Sequence, residues 1–176
     1  MKKVSFFKVA LFLSVFSLIA CSSDSDETNP SNSSTPSNGW RIGSTNYTTV
    51  FALRNVGQPN SIGAFDALPN ADNLNSVVVL FNNTTGIAAG TYKVVTKPDQ
   101  SDLLADEIMV SPNTGYNQTT GQYDKQYVTA LDQTVNAVVT ITDGKAKVVV
   151  PQIDIISYPI TSSSVTSNFA GTIVEQ

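Results

Sequence analysis

The chain of 176 residues contains no histidine and a single cysteine. Without histidine, the usual base of a Ser–His–Asp-type triad is missing, and so is the commonest zinc ligand. A lone cysteine has no partner for an intramolecular disulfide and cannot build a thiolate metal centre. Charge is scarce too: 14 % of residues are Asp, Glu, Lys or Arg, and the net charge is −4. That balance offers no basic surface, so no nucleic-acid partner is expected. No Gly-rich loop of the P-loop or dinucleotide type is present, and no cofactor is implied. Long apolar runs are also lacking. The one near the N-terminus stops short of the ~20 residues a membrane-spanning helix needs.

That run has the three parts of an export leader. Lys2, Lys3 and Lys8 make a positive start, Val9 to Ile19 is apolar except for Ser14 and Ser17, and Ala20 precedes Cys21. Leu18-Ile19-Ala20-Cys21 reads as a lipobox, the cleavage and lipid-attachment signal of bacterial lipoproteins. Residues 1–20 are then a signal peptide, Cys21 carries lipid, and a membrane is a partner through that anchor. The other reading is an ordinary secretory signal ending by accident in cysteine. Residues 21–38 follow as a tether. Between Ser22 and Asn38 no aliphatic or aromatic residue is present to offset the entropy of ordering the chain. Such a polar coil reaches ~20–25 Å on average, enough to hold a domain clear of lipid headgroups.

Residues 39–176 have the length of one domain, and its strand signals are dense. From Tyr47 to Arg54 the pattern alternates as in a half-buried strand. Ser76 to Phe81 is apolar on both faces, Gly90 to Thr96 and Tyr127 to Leu131 read as further strands, and Val165 to Val174 as the last. Asp143-Gly144 predicts a type I′ hairpin that pairs Thr142 with Lys145, Ile141 with Ala146, Thr140 with Lys147 and Val139 with Val148. That register puts Ala137, Val139, Ile141, Ala146, Val148 and Val150 on one face, so turn chemistry and face segregation agree. Pro151 is expected to stop this ladder, with residues 152–157 resuming as a short edge piece. The one candidate helix is short, over residues 98–105. The expected fold is all-β, a single antiparallel sandwich or flattened barrel.

Several of these segments together resemble small outer-membrane lipoproteins of the Bacteroidetes type. They are the lipobox, the acidic Ser/Asn tether, Trp-Arg-Ile-Gly-x-x-x-Tyr at Trp40 to Tyr47, Gly-Thr-Tyr at Gly90 to Tyr92, and Phe-x-Gly-Thr-Ile at Phe169 to Ile173. Asp24, Asp26 and Glu27 behind the cysteine are similar to the surface-export signal of such proteins, and Ser22 is similar to outer-membrane sorting signals. The resemblance implies a β fold lipid-anchored at the outer membrane, either surface-exposed or facing the periplasm. It carries over no catalytic residue.

Carboxylates could still do acid–base work, as in glycosidases. Asp106 and Glu107 are neighbours whose side chains would point to opposite faces of a strand. Asp99, Asp102 and Asp106 have helical spacing but suit a helix start. Asp66, Asn70, Asp72, Asn73 and Asn75 cluster like oxygen ligands for calcium, yet without an EF-hand pattern they read as turn-capping residues. No catalytic or metal site is therefore assigned. Ser111 to Tyr127 mixes tyrosine with Asn, Gln, Thr and Gly, the composition of binding loops. Tyr116, Asn117, Gln122 and Tyr123 are its candidate ligand contacts, for a glycan or an envelope protein. The alternative is a protruding hairpin turning at Thr120-Gly121 with Tyr127 in the core. These features favour a non-catalytic binding or adhesion module over a lipocalin-like carrier of a small apolar ligand or a carboxylate-based glycan hydrolase.

Overall fold

Among the described residues, eleven strands form one mixed sheet: β1 (Gly39–Ile42), β2 (Thr45–Thr48), β3 (Phe51–Arg54), β4 (Ser61–Phe65), β5 (Leu74–Phe81), β6 (Gly90–Val94), β7 (Glu107–Asn117), β8 (Gln122–Thr129), β9 (Asn136–Thr142), β10 (Lys145–Tyr158) and β11 (Thr166–Val174). The computed structural model describes residues 36–131 and 133–176, which fall in one compact unit. The leader, Cys21 and the tether up to residue 35 lie outside the described residues. The all-β expectation holds. Every pairing is antiparallel except β6 with β7, which is parallel through Lys93–Val94 and Glu107–Ile108.

The β9–β10 hairpin forms in the predicted register, from Thr142↔Lys145 to Val139↔Val148. Asp143 and Gly144 take φ of 51° and 77°, the two positive values a type I′ turn requires. Ala137, Val139, Ala146, Val148 and Val150 are buried, and Ile141 packs against the same cluster. Trp40, Val79, Phe81, Ile108, Ile155 and Phe169 join that single cluster from other strands. The sheet therefore curls until its inner faces meet. Their side chains fill the interior.

The two longest strands set the layout. β7 and β10 run in the same direction and are bridged at one end by β6 and β9, at the other by β8 alone. Between the bridges the sheet forks, and backbone groups there would lose ladder partners. Side chains and loop backbone take their place. Gln133 Oε1 accepts from Asp154 N (2.6 Å), its Nε2 donates to Asp154 O (2.6 Å), and Ala130 N donates to the same carbonyl (2.9 Å). Thr96 Oγ1 donates to Thr129 O, and Thr129 Oγ1 to Val110 O (3.4 Å).

The fork explains the first of three corrections. Pro151 does not end its strand, and residues 152–157 are no edge piece. β10 continues through Pro151 at a register shift against β11. On its other side the proline falls between the pairings with β9, which end at Val149, and those with β8, which start at Ile155. A missing N–H costs little there. Second, the stretch from Tyr47 to Arg54 is two strands rather than one. β2 pairs β1 and β3 pairs β4, with the buried Thr49 between them donating its N–H to Asn38 O (3.3 Å). Third, the short helix shrinks to one 3-10 turn, Gln100–Asp102, because the apolar pattern carries no second turn.

Arg41 has no counterpart in the sequence reading. It is 8 % exposed, and its guanidinium donates to Gly43 O (2.6 Å), Asn168 Oδ1 (3.0 Å) and Gln152 Oε1 (2.9 Å). These acceptors are neutral. They tie β1 to β10 and β11 across the sheet.

Candidate functional site

The segment from Ser111 to Tyr127 folds as the β7–β8 hairpin, with its turn at residues 118–121. Tyr116 faces Tyr123 and Asn117 faces Gln122, so the four candidate contacts are brought together at the closed end. The tyrosine rings lie 5.0 Å apart at 57° and are half-buried. Ser76 Oγ donates to Tyr123 Oη (2.9 Å). Asn117 is spent on the turn: its Oδ1 accepts from Thr119 N (2.9 Å) and Thr120 N (3.1 Å). Gln122 is exposed. Tyr127 joins the core cluster, as the alternative reading of this hairpin expects.

A bulge aims the hairpin. Between β5 and β7 the register shifts from Ser76↔Asn113 to Leu74↔Tyr116. Gly115 sits within it at φ 69°, where a Cβ would lie 2.5 Å from Asp124 Oδ2. Its N–H donates to Asn75 Oδ1 (3.0 Å), while Asn75 donates N–H (2.8 Å) and Nδ2 (2.7 Å) to the Asp66 carboxylate. The cluster weighed as calcium-like thus holds a turn and a bulge together. Among the described residues, no group of three or more Asp, Glu, Cys or His side chains is placed to hold a metal ion.

The other acids are engaged separately. Asp106 pairs with Lys93 (3.2 Å), and the buried Glu107 pairs with Lys97 (3.3 Å) and accepts from Leu104 N (2.9 Å). Asp99 caps the 3-10 turn. The Ser101 N–H, and then its hydroxyl, hold that carboxyl below the usual range.

Beside the tyrosine pair, a cleft of about 260 Å³ opens to solvent, lined by Ser111, Asn113, Gln126, Tyr127, Val128 and Tyr158. Four of these six residues belong to the predicted contact segment, along its strands rather than at its tip. Register aligns Asn113, Gln126 and Tyr158 in one row across β7, β8 and β10. Asn113 Nδ2 reaches Ser111 O (3.3 Å) and Ser76 Oγ (3.4 Å), which links the cleft to the Tyr123 hydroxyl. Tyr158 is 58 % exposed. Composition of the Ser111–Tyr127 segment could not reveal it, because it arrives from β10. The available signal was a tyrosine directly before Pro159, at a strand end. A second cleft, of about 440 Å³ beside Pro36–Asn38 and Asn46–Thr48, also has a tyrosine, but Tyr47 is already stacked on Trp40 at 5.5 Å and 15°.

No family model, curated protein or solved structure matches this chain.

Proposed function

We propose that this chain is a lipid-anchored protein of the bacterial outer membrane whose β domain is a non-catalytic binding or adhesion module. Cys21 carries the lipid, residues 21–38 are the tether, and the β7–β8 hairpin with its neighbouring cleft contacts the ligand. The observation that supports this reading most is a filled interior beside an open cleft of aromatic and amide side chains. A lipocalin-like carrier needs an apolar chamber, typically ~300 Å³ or more, and here the largest inward side chains occupy that space. A carboxylate hydrolase needs two acids converging on one bond. Asp106 and Glu107 instead pair with different lysines.

Two measurements test the proposal. Fatty-acid labelling of cells should mark the wild type and not Cys21→Ala; absence of label in both rejects the anchor. The full chain, purified in detergent, should bind a member of an array of envelope glycans and proteins without altering it. Hydrolysis of any glycan on that array would overturn the non-catalytic assignment.

A further inference from the structure

The ligand class can be taken further, resting on the binding-module reading above. We infer that the cleft between β7, β8 and β10 takes an uncharged saccharide, with one sugar ring stacked on Tyr158 and its hydroxyls bonded to Asn113, Gln126 and Ser111. The lining carries no charged side chain. An anionic ligand would find no ion-pair partner there, and a cationic one no carboxylate. Gln126 offers both a donor pair and an acceptor, and Asn113, whose Nδ2 is turned to Ser111 O and Ser76 Oγ, offers its Oδ1, which together match a hydroxyl that donates and accepts at once. The amides stand on adjacent strands in one row with Tyr158, so strand spacing, about 4.8 Å, sets their separation. Asn113 is oriented by Ser111 O and Ser76 Oγ, and Ser76 is 1 % exposed and held by Tyr123. Such support lowers the entropy lost when a ligand hydroxyl is captured.

Tyr158 supplies the apolar half of the match. A sugar ring has a face of C–H groups, and an exposed aromatic ring is the complementary surface. Two local bonds brace the loop that follows: Val165 N donates to Ser157 Oγ (2.9 Å), and Ser157 N donates to Val165 O (3.0 Å). The ring is thus presented from the end of a paired strand rather than from a free coil.

The test is calorimetric titration of the full chain in detergent. The neutral probes are maltohexaose, cellohexaose, xylohexaose and mannohexaose, and the acidic probe is oligogalacturonate. At least one neutral probe should bind, with a Kd unchanged within about twofold when salt is raised to about 0.5 M, since no charge is there to screen. Tyr158→Ala should weaken binding about tenfold or more, and Tyr158→Phe by less than about threefold, because the ring rather than the hydroxyl does the stacking. Gln126→Ala should weaken it by about fivefold. Binding of oligogalacturonate alone overturns the inference and leaves the binding-module reading standing. So does neutral-sugar binding lost in Tyr116→Ala but retained in Tyr158→Ala, which moves the site to the hairpin tip. If none of these saccharides binds, the saccharide assignment fails, and the array above decides separately whether a protein ligand exists.

Discussion

The β9–β10 and β7–β8 hairpins are made of the same parts, two paired strands and a turn containing glycine, yet the sheet uses them differently. In β9–β10 one face is buried and the other, with Thr140, Lys145 and Lys147, is exposed. In β7–β8 the alternation breaks at Gly115, Tyr127 enters the core, and a row of amides faces solvent. The register of the first hairpin follows from its own residues, while Arg54 donates to Gly144 O (2.7 Å) at its turn and Ala146 N donates to Glu175 Oε2 (2.8 Å) beside it. The second takes its shape from β5 and from the loop before it, through Asn75 and Asp66. Neighbouring side chains bond both hairpins; alternation survives where those bonds reach only the turn and the strand end, and fails where they hold a bulge within the strand.

Breaking the β9–β10 side of this contrast should have the largest effect. Val148 is fully buried, so Val148→Asp places an unpaired carboxyl in the core and should cost about 4 kcal/mol or more, abolishing the cooperative thermal transition. Gly115→Ala should cost about 2 kcal/mol, roughly half from left-handed backbone and half from displacing Asp124. In an Asp124→Gly background, which removes the Cβ as well as the carboxylate, that cost should fall to about 1 kcal/mol by urea unfolding. Equal costs in both backgrounds would mean that Asp124 does not set the bulge. Gly144→Ala is the matched control, because its φ is also positive but a Cβ there meets nothing within 4 Å. It should cost about 1 kcal/mol with or without Asp124.

A smaller loss, about 0.5–1 kcal/mol, is expected for Tyr123→Phe, which deprives the buried Ser76 hydroxyl of its acceptor. The smallest effect concerns pH. Tyr47 is raised above the usual tyrosine value by burial first, then by the charges of Asp66 and Tyr127. A phenol with a raised folded-state pKa favours the folded state below the unfolded value, ~10, and that contribution is lost as pH rises past it. Melting temperature should therefore fall above pH ~10, less steeply in Tyr47→Phe. Identical slopes would remove Tyr47 as a cause.

Local rules succeeded where they were sufficient. The Asp143-Gly144 turn, its four-pair register and the apolar face of β9–β10 were all legible because φ preference and period-two alternation act over a few residues. Tyr47 to Arg54 shows the opposite case. Its single alternation does not run through Thr49, since Ala52 is fully buried and Leu53 is exposed, and nothing within eight residues reveals that β2 and β3 pair with different strands. Pro151 misled for the same reason, since a proline is costly only where its N–H is needed, and the fork removes that need. Arg41 carries no local signal, and Tyr158 only its place before Pro159 at a strand end. One is surrounded by acceptors from β10 and β11, and the other completes a cleft begun two strands away.

By itself the sequence determined an all-β domain, the position of one hairpin and the absence of histidine chemistry, because composition, turn preference and side-chain alternation are short-range properties. Only the tertiary structure decided which strands meet, where the sheet forks and which side chains share the cleft. Those outcomes depend on contacts between residues far apart in the chain, whose closure is chosen by the packing of the whole core.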